Sequence, residues 1–278
     1  MKILYVAGFC LVTSFYLKAA ESRLEYIQEE NRKGVVELAR VCSLGNGVFV
    51  QQDWGCMTRT APENSNVGFN FIFIDKAVSE QNLIEILSQA RPFYNETLYE
   101  IWMDSNNVQH QSFIEGQGYK YEGHYPSMYL HVAKPFDQGA PAGVSCLNVS
   151  SEDDLFQWVQ ITAKVYNLDE QRLFGLAKEM VKDHAVSLYL ALCEGVPAAT
   201  RMMLRYETTS TGYFSATLPD YRRKGIASAL MKYSLHEAHA EKADLFVNQA
   251  SPNGAIVWDK FGMHGDGNVF ICFSNKNK

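Results

Sequence analysis

The sequence predicts an α/β protein with a mixed sheet, organised as two halves. Its 278 residues suit about two domains of ~150 residues each. Apolar strand-like runs alternate with amphipathic helical segments along the chain. Hydrophobic residues make up 47% of the sequence, which is enough to bury a sizeable core.

The first 20 residues form an apolar segment of their own. Lys2 precedes the apolar stretch Ile3–Leu17, and Lys18-Ala-Ala20 follows it, as in a secretory signal. The cleavage site is poor because Lys18 falls at position −3, and the stretch is short for a membrane span. Two interpretations stay open: a processed or membrane-directed segment, and an extra buried helix or strand.

An N-terminal domain is predicted over residues 21–134. A helix begins at Leu24, where apolar residues recur at spacings of three and four, and it ends at Gly45-Asn-Gly47. Ser79 is a candidate N-cap for a second helix, which Pro92 is expected to stop. The remaining apolar runs predict strands at 48–57, 68–74, 97–103 and 128–132.

A linker and a second domain follow. Residues 133–145 contain two prolines and two glycines, which is typical of a linker. The second domain is predicted over residues 146–278. It begins with a helix that Ser151 caps, and a second helix follows to about residue 181. We then expect three meander strands, a long helix, a strand, a short helix and a last strand, at 186–193, 197–205, 212–218, 226–243, 245–248, 254–261 and 269–273.

The turn before the long helix carries most of the functional information. It reads Pro219-Asp-Tyr-Arg-Arg-Lys-Gly-Ile-Ala-Ser-Ala-Leu230, with three adjacent cations and several small residues. A helix N-terminus has unpaired N–H groups and about half a positive charge. Gly225 and Ala227 let a ligand approach that backbone closely. The turn is therefore suited to hold a phosphate or diphosphate.

Two motifs give the chain a family resemblance. The pattern Arg222-x-x-Gly225-x-Ala227 resembles the acyl-CoA pyrophosphate loop of the GNAT superfamily of N-acyltransferases, Gln/Arg-x-x-Gly-x-Gly/Ala. Trp258-Asp-Lys-Phe-Gly-Met263 begins 36 residues after Arg222 and is similar to the family's Tyr-x-x-Leu-Gly-Phe segment. The predicted elements of residues 146–274 also follow the family's order. The resemblance implies a tandem GNAT-like (acyl-CoA N-acyltransferase) fold.

The first half resembles a reduced copy of the second. Phe113–Tyr119 is similar to the same Tyr-x-x-Leu-Gly-Phe segment, but Asp75-Lys-Ala-Val-Ser79 has no glycine where the loop would lie. The resemblance therefore implies a degenerate N-terminal GNAT-like domain that binds no cofactor and covers one side of the cleft. Two unrelated α/β domains are the alternative that stays open.

No metal is expected, because the seven histidines show no HExxH spacing and have no companion cysteines. The resemblance also implies how the co-substrate, acetyl-CoA, is bound. Amides from Arg223 to Ser228 would hold the diphosphate, and the strand before the loop would pair with the pantetheine arm. Asn253 matches a polar contact to the thiol end, with a turn-forming role as the alternative. The implied cofactor-binding residues are Ala216, Thr217, Leu218, Arg222, Arg223, Lys224, Gly225, Ile226, Ala227, Ser228 and Asn253.

No catalytic acid or base follows from the sequence. Many GNAT enzymes use the tyrosine of Tyr-x-x-Leu-Gly-Phe as the acid, but Trp258 stands at the matching position. An indole N–H donates hydrogen bonds and is not a useful acid. Tyr213 and Asp220 are candidate catalytic residues, with core packing and turn formation as their alternative roles.

The function that the resemblance implies is transfer of acetyl from acetyl-CoA to a primary amine of a small molecule or peptide, by direct attack in a ternary complex. A longer acyl or aminoacyl donor, and a catalytically silent acyl-CoA binder or sensor, are the alternatives. The net charge of −6 and the absence of a basic stripe argue against a nucleic-acid partner. Use of acetyl-CoA favours a cytoplasmic location, and a membrane partner is expected only if the N-terminal apolar segment is retained.

Overall fold

The protein is described by a computed structural model that covers residues 3–60, 69–95 and 97–275, without the side chains of 3–20, 252 and 253. Within these residues the strands form one mixed sheet of eleven strands, and helices cover both of its faces. The predicted α/β class with a mixed sheet is confirmed.

The helices and strands alternate along the chain in the order that the sequence patterns predict for most of its length. Their bounds are α1 Ile3–Cys42, β1 Val48–Gln52, β2 Gly55–Arg59, β3 Phe71–Ile74, α2 Glu80–Tyr94, β4 Glu100–Asp104, α3 Gln111–Gly116, β5 Lys120–His131, β6 Val144–Asn148, α4 Glu152–Tyr166, α5 Glu170–Met180, β7 Val186–Cys193, β8 Val196–Tyr206, β9 Thr209–Thr217, α6 Ile226–Ala240, β10 Leu245–Gln249, α7 Pro252–Asp259 and β11 His264–Ser274.

The sheet has the same arrangement in its two halves. The strand order is β1-β2-β3-β4-β11-β5-β10-β9-β8-β7-β6. In both β1–β4 and β7–β10, two antiparallel pairings are followed by a parallel one. The last strand of each half crosses over, so that β5 pairs with β10, β11 pairs with β4, and β5 and β11 meet in the centre. This exchange joins the halves through backbone hydrogen bonds.

Apolar cores lie on both faces of the sheet. On one face, α4 and α5 pack on the meander strands around Trp158, and the second half of α1 crosses to β10 and β3 through Ile27 and Val35. On the other face, α6 packs on the same strands around Leu235, and α2 packs on β3 and β4 around Leu83. The sheet therefore has one face shared by α1, α4 and α5 and an opposite face shared by α2, α6 and α7.

Several boundaries differ from the sequence-based expectation. Helix α1 continues back to Ile3 instead of beginning at Leu24. Pro92 lies inside α2, which continues to Tyr94; in the last turn its missing N–H removes a single helical bond, and Asn95 caps the end with a φ of 44°.

Two strands of the second half begin earlier than predicted. Residues 144–148 form the edge strand β6, although 144 and 145 were assigned to the linker, because their backbone pairs with β7. Strand β11 begins at His264 instead of 269, because its first residues pair with β5. Among the residues described here, no helix combines the length and the apolar character needed to cross a membrane.

Candidate active site

The turn between β9 and α6 forms an open helix N-terminus. Gly225 is the N-cap of α6 and has a φ of +76°, a conformation that glycine adopts without strain. No side chain caps α6, whereas a side-chain oxygen caps each of α2, α4, α5 and α7: Ser79, Ser151, Asp169 and Ser251. The amides at the start of α6 are therefore available to a ligand.

Cations surround this open N-terminus. Arg222, Arg223 and Lys224 are all exposed, and Arg223 adopts a φ of +62°. Arg222 Nε donates to the carbonyl oxygen of Thr217 at 3.1 Å, and Lys224 Nζ lies 5.2 Å from the centre of the Tyr221 ring. These contacts hold positive charge beside the helix start, where it favours an anion.

Strands β9 and β10 separate next to the turn. They pair in parallel over 209–211 and 245–247 and then diverge. The β8–β9 ladder has a bulge beyond this point, where Phe214 adopts a φ of 49°. The Ser215 carbonyl oxygen accepts from Tyr166 Oη at 2.9 Å, which satisfies it outside the ladder. The sheet thus opens next to the end of β9 that the resemblance assigns to the pantetheine arm.

A cavity of about 160 Å³ lies between this opening and the turn. Three residues that the sequence assigns to cofactor binding line it: Ala216, Thr217 and Ala227. The others that line it come from β8, β9, α6 and α7: Thr200, Arg201, Ser215, Leu230, Met231, Gly254, Val257 and Trp258. The cavity therefore joins the predicted pantetheine strand to the predicted diphosphate loop.

The remaining assigned residues occupy different surroundings. Ile226 is the first residue of α6 and is buried in the apolar core between α6 and the sheet. Ser228 is half-buried in the first turn of α6. Leu218 lines a neighbouring groove along α4 and α5. Asn253 lies in α7, but its side chain is outside the described part of the chain. Cofactor binding by these residues stays a prediction.

Trp258 is held by a neighbouring amide. The side-chain nitrogen of Asn248 donates to the Gly212 carbonyl oxygen at 2.9 Å. The side-chain oxygen of Asn248 then accepts from Trp258 Nε1 at 3.1 Å. The indole N–H therefore has a structural partner, and the ring forms one wall of the cavity.

The two candidate catalytic residues lie in different surroundings. Tyr213 donates its hydroxyl proton to Gln249 Oε1 at 2.9 Å, and Gln249 Nε2 donates to Asn31 Oδ1 at 3.1 Å. Burial raises the pKa of Tyr213 well above the ordinary value for a phenol. Asp220 is exposed in the short 3-10 turn before the loop. The half-buried Tyr213 therefore stays protonated near neutral pH, which favours a structural role.

Replacement of Tyr213 by phenylalanine tests its candidacy as a base. We expect Tyr213→Phe to leave the shape of the pH–rate profile of acyl transfer unchanged, because a phenol with a raised pKa does not ionise near neutral pH. The lost hydrogen bond to Gln249 should lower the free energy of unfolding by about 1 kcal/mol. Loss or displacement of the ascending limb, where the rate rises as the base loses its proton, would instead identify Tyr213 as the base.

Arg201 is a cavity residue that the sequence patterns did not single out. It is buried on β8, between Ala199 and Met203, which face the α6 side of the sheet. A cation at the position between Ala199 and Met203, on the core-facing side of β8, was the available signal. Among the described residues, no group of three or more His, Cys, Asp or Glu side chains is placed to hold a metal ion.

Comparisons with known proteins place this geometry in a family. Residues 154–247 match the model of the acetyltransferase (GNAT) domain, and they include the turn, all of β9 and the first three residues of β10. No curated protein matched the sequence.

Solved structures share the fold over most of the chain. A GCN5-related N-acetyltransferase from Kribbella flavida has 14% identity and a TM-score of 0.66, over 86% of this chain and 96% of that one. Another from Sphaerobacter thermophilus has 9% identity and a TM-score of 0.59, over 82% and 75%. A tandem GNAT protein from the clavulanic acid biosynthesis pathway has 9% identity and a TM-score of 0.56, over 85% and 86%. Residues 154–247 therefore belong to the GNAT acetyltransferase domain family, in a chain that has the tandem GNAT fold.

Proposed function

We propose that the C-terminal half transfers an acetyl group from acetyl-CoA to a primary amine by direct attack in a ternary complex. The single observation that carries the proposal is the uncapped start of α6, beside Gly225 and next to the cavity at the β9–β10 separation. In the N-terminal half, Ser79 caps the corresponding helix α2 and accepts from the Asn82 amide at 3.2 Å. Of these two corresponding helix starts in the described part of the chain, the one at α6 is thus the one suited to a diphosphate.

The residues present fit acetyl-CoA. The amides of 226–228 would hold the diphosphate, and Arg222 and Lys224 would add charge. The cavity of about 160 Å³ has room for the end of the thioester arm with a short acyl group. When bound, acetyl-CoA supplies the activated acyl group, and the protein supplies its position and the surrounding electrostatics.

The acceptor amine has a candidate entry on the other face of the sheet. A groove of about 610 Å³ runs between the end of α4 and the start of α5 and reaches Leu218, next to Thr217 of the cavity. Its polar lining residues are Gln157, Gln160, Lys164, Asn167 and Glu170. This groove supports a small-molecule or peptide amine as the acceptor.

One observation favours the silent acyl-CoA binder as a second candidate. Among the described residues that line the cavity there is no carboxylate or histidine to take a proton, and Trp258 Nε1 already donates to Asn248. An amine that is deprotonated by solvent can still react, so the missing base does not exclude acetyl transfer. The transferase and the silent binder would use the same CoA-binding site.

The deciding experiment measures CoA binding and thiol release on the same preparation. Purified full-length protein is titrated with CoA by calorimetry and then incubated with acetyl-CoA and a panel of primary amines. Transferase activity predicts amine-dependent thiol release. Binding with no release on any amine would support the silent binder, and no binding would reject both functions.

A further inference from the structure

Arg201 carries a buried charge that has no carboxylate partner among the described residues. Its exposed fraction is 2%, and its guanidinium carbon lies 5.5 Å from the Phe246 ring centre and 5.2 Å from that of Trp258. Burial lowers its pKa to about 10, and the charges that act on it in the opposite direction are those of the phenols Tyr189 and Tyr166. Burying a cation without a counter-charge is unfavourable, which indicates a ligand-related role.

One edge of this guanidinium has no hydrogen-bond partner in the part of the chain that the structure describes. Nη1 donates to Ser215 Oγ at 2.8 Å, whereas Nε and Nη2, which form one edge, are buried and unpaired. An unsatisfied buried donor costs about 1–3 kcal/mol, and more when it is charged. Two N–H groups on one edge of an arginine can bind an anion together.

The surrounding backbone makes room for this side chain. A Cβ at Gly212 of β9 would collide with Nη2 and Cζ of Arg201. The bulge at Phe214 lies opposite Arg201 in the β8–β9 ladder, and the stacked Phe69 ring, 5.2 Å from that of Phe214, holds it in place. Arg201 is therefore fixed at the point where the sheet opens.

Arg201 lines the cavity that joins the predicted pantetheine strand to the predicted diphosphate loop. Its volume of about 160 Å³ has room for the end of a thioester arm with a two-carbon acyl group. In the proposed reaction, the anion that forms at this end is the departing thiolate.

We propose that Arg201 binds the negative charge that develops on the thioester sulfur during acyl transfer, an inference that rests on the proposed acetyltransferase function. The amine nitrogen forms a bond to the carbonyl carbon, the carbon–sulfur bond breaks with its electron pair on sulfur, and the amine proton goes to water. Arg201 keeps its own proton and donates hydrogen bonds to the thiolate. It supplies electrostatic stabilisation where no acid is in place.

The test measures the pKa of the thiol of bound CoA. The full-length protein saturated with CoA is titrated with base, and the ultraviolet absorbance of the thiolate is followed. In the wild type we expect the thiol pKa to lie about one unit below that of free CoA, a tenfold shift in the protonation equilibrium. The same titration without CoA is subtracted, because the 15 tyrosines of the chain also change their ultraviolet absorbance when they ionise.

Three variants assign this shift to the guanidinium. Arg201→Met should remove the shift and lower the rate of thiol release at least about tenfold, with CoA still bound. Gly212→Ala keeps the charge but displaces Nη2, so it should also reduce the shift. Arg205→Met is the matched control on the same strand. Arg205 Nη1 pairs with Glu241 Oε2 at a distance of 2.6 Å, and Arg205 does not line the cavity. This variant should keep the shift in the thiol pKa.

The outcomes separate this inference from the proposed function. Suppose that the wild type binds CoA, but that the thiol of bound CoA has the same pKa as in free CoA, or the same pKa in the wild type and in Arg201→Met. The role of Arg201 is then structural, and the inference fails while the proposed function stands. If the wild type binds no CoA, the proposed function and the inference both fail.

Discussion

Gly225→Glu is expected to abolish CoA binding, with affinity reduced about 100-fold or more, or about 2.7 kcal/mol. Gly225 has a φ of +76°, and a Cβ there would lie 2.9 Å from Pro141 Cγ, so any side chain is strained. The glutamate charge would also occupy the helix start that is otherwise available to the diphosphate, and repel it. Calorimetric titration with CoA measures the change.

Gly195→Glu is the matched control for this substitution. Gly195 has a φ of +77° in the exposed β7–β8 turn, and a Cβ there meets nothing within 4 Å. The control introduces the same charge and a similar backbone strain away from α6, and it should bind CoA as the wild type does. Equal CoA affinity in Gly225→Glu and wild type would show that the loop assignment is wrong.

Arg32→Met is expected to lower the free energy of unfolding by about 3–5 kcal/mol, because it leaves a buried carboxylate without its cation. Asp104 is fully buried at the end of β4, and its Oδ2 accepts from Arg32 Nη1 at 3.1 Å. The same oxygen accepts from Asn268 Nδ2 of β11 at 2.8 Å. Through Asp104, Arg32 of α1 is therefore connected to β11, the strand that the C-terminal half contributes to the N-terminal half of the sheet.

Urea unfolding with two further variants tests this ion pair. Arg23→Met, in the exposed part of α1 beside His131, should change the unfolding free energy by less than about 0.5 kcal/mol. Adding Asp104→Asn to Arg32→Met should recover part of the loss, because the uncompensated charge is removed. A loss below about 1 kcal/mol in Arg32→Met would contradict the assigned role.

Features governed by local chemistry were predictable from the sequence. The capping box of Ser151 and Asp154 forms at the start of α4, with the Asp154 amide 3.1 Å from Ser151 Oγ. Ser79 caps α2 as expected, and Glu194 and Gly195 form the turn between β7 and β8, both with positive φ. In each case neighbouring residues alone determine the geometry.

Features governed by long-range pairing were not predictable. The position of β11 between β4 and β5 depends on partners about 140–170 residues away, such as Phe270 with Asp104 and with Tyr125. The apolar pattern of β11 suits a buried strand in either half of the sheet. The sequence therefore predicted the strand but not its exchange.

The candidate site was predictable in its backbone and not in its side chains. The loop glycine lies at the start of α6 because a strand–turn–helix pattern is local. The role of Arg201 depends on the bulge at Phe214 and on the close approach of Gly212, neither of which has a sequence signature. The burial of Tyr213 against Gln249 is likewise a consequence of tertiary packing.

A crystal structure of the full-length protein with CoA tests the proposed binding mode most directly. The uncapped start of α6 predicts the diphosphate within hydrogen-bond distance of the amides of 226–228, with the thiol end in the cavity beside Arg201. CoA bound at α2 of the N-terminal half, or elsewhere on the molecule, would contradict it.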